Sequence, residues 1–255
     1  MRLKGRVAIV TGGSRGIGKS IALAYAAEGA VVVVTARSAV QLGDLTRDVE
    51  SSGGLALSVS GSVSKKEDVE RVVEKTIANF GRIDILVNNA GTPGTKKDLQ
   101  DVTDEEWNEV MDVNVRGVFL ATRCVLPWML KQGRGNIVNI SSGAGEKHPS
   151  GGGGIRSIPY SVSKFALEGF NYSLASKLKG TGINVNAIKP GVIKTAFHDS
   201  TSPEELQWLA TRSGGLHEPN FVNPLAIYLA ALEPGELTGA SISASVWNVA
   251  HPIRS

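Results

Sequence analysis

Val7-Ala8-Ile9-Val10 runs directly into Thr11-Gly12-Gly13-Ser14-Arg15-Gly16-Ile17-Gly18. Four apolar residues bounded by glycine read as a buried strand, and residues 14–28 behind the turn read as a helix. Gly12 permits the tight turn, Gly16 lets a pyrophosphate approach the backbone, and Gly18 lets the helix pack closely on the strand. The start of such a helix offers amide donors and a positive dipole end to phosphate. The spacing is Gly-x-x-x-Gly-x-Gly rather than Gly-x-Gly-x-x-Gly, so the turn alone is only moderately specific.

Outward from this turn, strand and helix alternate along almost the whole chain. Strands are expected over residues 7–10, 31–35, 55–59, 83–87, 136–140, 183–188 and 241–246. Helices are expected over 14–28, up to about 51, 65–80, 104–132, 160–178, 203–211 and 224–232. Continuous apolar strands alternating with helices predict a parallel sheet covered on both faces. Right-handed crossovers make it a doubly wound, Rossmann-type α/β sheet. Without an internal repeat or linker, residues 1–255 are expected to form one domain.

The bulk composition sets limits. With 255 residues, 42% hydrophobic and 20% charged, the chain can build a large core. The net charge of +3 is mild and lacks a basic stripe interleaved with aromatics, so nucleic acid is not an expected partner. Cys124 is the single cysteine, which excludes an intrachain disulfide, and core packing is its expected role. No stretch approaches the roughly 18 apolar residues of a membrane span, and residues 1–6 lead into no signal-peptide core. A cytoplasmic, membrane-free protein is expected. His198 and His217 are not at metal-ligand spacing, so no metal site is expected.

In Pro159-Tyr160-Ser161-Val162-Ser163-Lys164, Tyr160 and Lys164 stand four residues apart. On a helix they share a face one turn apart. A cation beside a phenol favours the phenolate, drawing its pKa down from about 10 toward the working pH. Such a tyrosine serves as a general acid or base.

Taken together, Thr11-Gly12-x-x-x-Gly16-x-Gly18, Asn88-Asn89-Ala90-Gly91, Ser141-Ser142 after the next strand, and Tyr160-x-x-x-Lys164 resemble the short-chain dehydrogenase/reductase family. The resemblance runs from about residue 4 to the last strand. It implies an oxidoreductase that interconverts a carbonyl and an alcohol by hydride transfer. Tyr160 would be the general acid/base, and Lys164 would lower its pKa and bond the nicotinamide ribose. Ser142 would hydrogen-bond the substrate oxygen, a form of oxyanion stabilisation. Asn114 would hold a water connecting Lys164 to solvent. Cofactor contacts are implied for Gly12, Ser14, Arg15, Gly16, Ile17 and Gly18, and for Asn88, Ala90 and Gly91. On the nicotinamide side they are implied for Tyr160, Lys164, Pro190, Gly191, Val192 and Thr195.

Three departures from the family pattern carry expectations of their own. Ser142 and Tyr160 stand eighteen positions apart, more than is usual, and Gly151-Gly152-Gly153-Gly154 is expected to absorb the excess. The Gly-rich loop 143–159 is therefore expected to shape the substrate pocket. Where NAD-preferring members end the second strand with an acid, this chain has Ala36, then Arg37 and Ser38. Arg15 and Arg37 would grip a 2′-phosphate with Ser38 as a further donor, so NADP(H) is expected over NAD(H). Ser62 replaces an aspartate expected to contact adenine, and Val63 is expected to pack on the ring.

Residues 196–222 form the variable substrate lid, where Phe197, His198, Trp208, Leu209 and His217 are candidate pocket residues. The last strand is expected at a subunit interface of a homodimer or homotetramer. The alternatives are a catalytically silent NADPH-binding sensor, or an epimerase or dehydratase of the same fold. Substrate identity and reaction direction are not legible.

Overall fold

The computed structural model describes residues 1–146, 157–199 and 201–252. The first half runs β1 Val7–Thr11, α1 Gly16–Ala27, β2 Val31–Ala36, α2 Ala39–Ser51, β3 Leu55–Ser60, α3 Lys66–Phe80 and β4 Ile85–Asn88. Next come α4 Asp104–Met111, α5 Gly117–Gln132, β5 Gly135–Ile140, α6 Ile158–Lys177, β6 Ile183–Lys189 and β7 Val192–Ile193. The chain closes with α7 Pro203–Ser213, β8 Leu216–His217, α8 Asn223–Ala231, β9 Ser241–Ser243 and α9 Ala244–Ala250. Seven strands form one parallel sheet in the order β3-β2-β1-β4-β5-β6-β9, as expected for a doubly wound α/β domain.

Alternation along β1 explains why its run is apolar throughout. Ala8 and Val10 pack on one face with Ile21 and Tyr25 of α1, Leu42 of α2 and Leu225 of α8. Val7 and Ile9 pack on the other with Val69 of α3, Leu120 and Met129 of α5, and Leu178 beyond α6. Both faces are covered, so neither set of positions admits a polar residue. The strand order reverses between β2-β1 and β1-β4, which places a crevice at the carboxyl ends of these strands.

A string of buried amides fixes the helix that carries Tyr160. Asn88 of β4 donates through Nδ2 to Asn139 Oδ1 of β5 at 2.9 Å. Asn139 donates to Asn171 Oδ1 of α6 at 3.0 Å, and Asn171 donates to the Ala240 carbonyl at 3.2 Å. The string ties α6 to the sheet at one height and one rotation.

Two expected elements differ. The helix over 104–132 is interrupted by a π-helical segment, Asp112–Arg116. Asn114 sits in it, and bonds from its side-chain amide to two other segments hold the distortion. The strand expected over 241–246 ends at Ser243 and turns into α9. Its partner β6 stops at Lys189 because Pro190 has no N–H to continue a ladder. Small strands β7 and β8 pair in parallel and tie the lid to the segment after β6. Cys124 on α5 is half-buried, and burial pushes its thiol pKa up.

Candidate active site

A cleft of about 1260 Å³ lies at the carboxyl ends of the strands, and its lining includes Arg37, Ser38, Trp208 and Val249. The glycine turn forms its floor. Gly12 has φ +65° and a Cβ there would lie 2.8 Å from Ala90 Cα, so only glycine fits. Gly16, at φ +55°, brings the backbone against Thr195, with a Cβ only 3.0 Å from Thr195 Cγ2. Thr11 pins the turn to the end of β4: its Oγ1 accepts from the N–H groups of Asn89 (3.0 Å) and Ala90 (3.1 Å). Asn89 Nδ2 donates to the carbonyls of Thr11 (2.9 Å) and Gly12 (3.1 Å).

At the far end of the turn, Arg15 and Arg37 are exposed and line the cleft. Neither has an ion-pair or hydrogen-bond partner among the described residues. Ser38 caps α2 by accepting from Gln41 N, which leaves its hydroxyl proton available. Ser62 lines the cleft with its Oγ 2.8 Å from Ser64 Oγ, and Val63 lies beside it.

Helix α6 starts where sequence chemistry allows. Ser157 caps it by accepting from Tyr160 N, and Pro159 occupies the first turn. Tyr160 therefore sits in the first turn of α6 and lines the cleft together with Ser142, whose side chain favours the phenolate. Ser142 accepts from Ala144 N at 3.2 Å, which orients its hydroxyl. Lys164 lies one turn on, 6% exposed, with Nζ donating to the Ile140 carbonyl at 2.8 Å. Its Nζ is 5.5 Å from the centre of the Tyr160 ring.

The electrostatics differ from expectation. Burial pushes the Tyr160 hydroxyl up to about 12, and the nearby Ser142 side chain offsets this only in part. Burial also pulls Lys164 down to about 8. The ammonium is committed to a strand-end carbonyl, so in the chain alone desolvation outweighs its pull on the phenol.

Asn114 is 1% exposed. Its Oδ1 accepts from Thr92 N (2.8 Å), and its Nδ2 donates to Thr92 O and Ser163 Oγ (both 3.0 Å). Ser163 Oγ in turn donates to the Tyr160 carbonyl at 2.6 Å. Asn114 thus buttresses the first turn of α6 from behind the cleft wall.

Ser14, Ile17, Ala90, Gly91, Pro190, Gly191, Val192 and Thr195 all line the cleft. Gly18 and Asn88 do not. Gly18 lies against the Gly12 carbonyl, where a Cβ would come within 2.3 Å, and Asn88 points into the core toward Thr122 and Asn139. Asn89, one residue past the strand end, faces the cleft in its place. In the lid, Phe197, His198, Trp208 and Leu209 reach the cleft, whereas His217 stacks on Phe221 with ring centres 3.6 Å apart. Loop 143–159 is described only at 143–146 and 157–159, so Gly151–Gly154 fall outside the described residues. The sequence reading missed Val246 and Val249 of α9, Arg212 of α7 and Lys189 as cleft residues. Reading residues 244–246 as strand hid the first two.

Among the described residues, no group of three or more His, Cys, Asp or Glu is placed to hold a metal. None of their helices is long and apolar enough to cross a membrane.

A parallel sheet, a glycine turn and Ser142, Tyr160 and Lys164 lining one cleft form the arrangement expected of a short-chain oxidoreductase. A sequence model of the short chain dehydrogenase family matches residues 6–206, and the chain belongs to this family. It is 35% identical to the 3-oxoacyl-[acyl-carrier-protein] reductase FabG of Thermotoga maritima, over 95% of this chain and 97% of that protein. It is also 35% identical to glucose 1-dehydrogenase 2 of Bacillus subtilis, over 94% of this chain and 93% of that one. A solved gluconate 5-dehydrogenase of Burkholderia cenocepacia, in complex with NADP and tartrate, superposes with a TM-score of 0.85. That pair is 29% identical and covers 95% of this chain and 94% of the other.

Proposed function

We propose that this protein interconverts a carbonyl and an alcohol using NADP(H), with reduction favoured near neutral pH. The observation that carries it is Tyr160 and Ser142 lining one cleft, with Lys164 anchored one helical turn away. The residues fit a dinucleotide: a glycine floor that a Cβ would fill, and two unpaired guanidiniums with no acidic residue at the end of β2. When bound, the nicotinamide supplies the hydride.

The chain's own groups handle the oxygen and its proton. Ser142 donates to the substrate oxygen and holds the developing charge. Tyr160, kept protonated by burial, gives its proton to that oxygen. Lys164 compensates the phenolate that this leaves, and Asn114 keeps the first turn of α6 in place. Arg15, Arg37 and Ser38 hold the 2′-phosphate, which favours NADP(H) over NAD(H). NADP in the Burkholderia enzyme's structure supports this choice. Loop 143–159 and lid 196–222 are proposed to bound the substrate pocket within this one domain.

Exposed Phe119 on α5 and Val162, Phe165 and Tyr172 on α6 offer an apolar face for a homodimer or homotetramer.

The test is a carbonyl and alcohol panel followed by nicotinamide absorbance, with NADPH and NADH compared. Turnover should be abolished nearly completely in Tyr160→Phe. Full activity in that variant, or a preference for NADH, would overturn the corresponding part of the reading.

A further inference from the structure

The carbonyl–alcohol reading leaves open what else the substrate carries, and the following inference rests on that reading. One partly buried lysine in the cleft, Lys189, has no part in the proposed cofactor or proton handling. Lys189 is the last residue of β6 and lines the cleft. On one side Ser141 donates its N–H to the Ile188 carbonyl at 2.8 Å, and on the other Ser243 is the register partner of Lys189 in β9. Neighbouring strands lie about 4.8 Å apart, so these three residues stand in a row across the sheet end. Ser245, whose Oγ is 3.0 Å from Ser243 Oγ, extends the row. One cation and three hydroxyl-bearing residues thus share the stretch of wall that adjoins Ser142.

Two observations separate a binding site from ordinary packing. The Lys189 side chain is only 19% exposed, yet the carboxylate that neutralises it, Glu146 at 2.8 Å, is 51% exposed. A largely covered cation is stabilised by an anion, and this anion reaches in from solvent and is replaceable. Ser141 Oγ is buried at 3% residue exposure and has no hydrogen-bond partner among the described residues. A buried hydroxyl without a partner is destabilising until something accepts from it.

We propose that Lys189, together with the hydroxyls of Ser141 and Ser243, binds a carboxylate of the substrate, and that Glu146 occupies this place until the substrate displaces it. The substrate class is then a hydroxy or oxo carboxylic acid. The site favours a carboxylate because a carboxylate already fills it in the structure.

The experiment compares oxo acids with their methyl esters, which keep the reacting carbonyl and remove the charge, in the presence of NADPH. The wild-type ratio of kcat/KM, acid over ester, should exceed one. It should fall about tenfold or more in Lys189→Met through KM, as the loss of a charge-assisted bond predicts. Lys189→Arg should restore most of the ratio, and Glu146→Gln should raise it by removing the competitor. Thermal melting and NADPH fluorescence confirm that each variant folds and loads. A parallel titration of Trp208 fluorescence with the same acids and esters reads binding independently of turnover. Equal affinity for acid and ester, or a ratio unmoved in Lys189→Met, overturns the proposal. Tight, Lys189-dependent acid binding without reduction of any carbonyl overturns the reductase reading and leaves the carboxylate site standing.

Discussion

Phe197 of the lid packs edge-on against Tyr160, their ring centres 5.4 Å apart and their planes at 61°. Phe197, shortly after β7, therefore touches the proposed proton donor directly and covers one side of its ring. Both rings are half-buried. Removing Phe197 should loosen the phenol and hydrate it. An aromatic pair of this kind contributes roughly 0.5–1.5 kcal/mol beyond its buried area. Phe197→Ala is expected to lower kcat/KM about three- to tenfold, measured by steady-state reduction with the cofactor saturating.

The opposed shifts of Tyr160 and Lys164 set a pH dependence. With Tyr160 pushed up to about 12, the phenol is protonated throughout the neutral range and ready to donate. With Lys164 pulled down to about 8, its charge is lost as pH rises through that value. Reduction should decline above about pH 8, while alcohol oxidation, which needs the phenolate, should climb. Initial rates in both directions across the neutral and alkaline range check this, and parallel profiles would contradict it.

Lys164 also links stability to pH. Its pKa is about 8 folded against 10.5 for the unperturbed group, so between these values the unfolded chain binds more protons. Stability therefore rises with pH across that window, by the linkage relation. Lys164→Met should remove this rise, which denaturant melts at two pH values within the window would detect.

Arg15 and Arg37 line the cleft, as does Ser38, and have no ion-pair or hydrogen-bond partner among the described residues. Each exposed guanidinium, screened by solvent, should contribute about tenfold to phosphate recognition. Arg37→Ala is expected to reduce the NADPH-over-NADH preference by about that factor, with Arg15→Ala similar. Cofactor KM values, measured at two salt concentrations, are the readout.

The amide string from Asn88 through Asn139 to Asn171 is buried along its length. Asn139→Ala leaves a donor on one side and an acceptor on the other unsatisfied, costing about 2–3 kcal/mol. That corresponds to a fall of roughly 5–10 °C in Tm for a chain of this size. Because α6 is freed to shift, kcat should fall as well.

Local chemistry was enough for much of the fold. Continuous apolar runs bounded by glycine marked the strands, because a strand covered on both faces tolerates no polar position. The helix expected from Tyr160 starts two residues earlier, at Ile158, where Ser157 caps it. Where the reading failed, the deciding contact was distant. Residues 244–246 look like strand by composition, but β6 ends at Pro190 and leaves them nothing to pair with. The helix through Asn114 looks continuous until its amide finds Thr92 and Ser163.

The chain's spacings alone set the order of the elements, the glycine floor of the cleft and the Tyr160–Lys164 pair, since each depends on neighbours within a few residues. The charge states within that pair did not follow from spacing. Tertiary burial raised the phenol, lowered the ammonium and committed Lys164 to the Ile140 carbonyl. Sheet register then set Lys189 between Ser141 and Ser243. Desolvation and strand pairing join residues far apart in the chain, so only the folded arrangement could decide them.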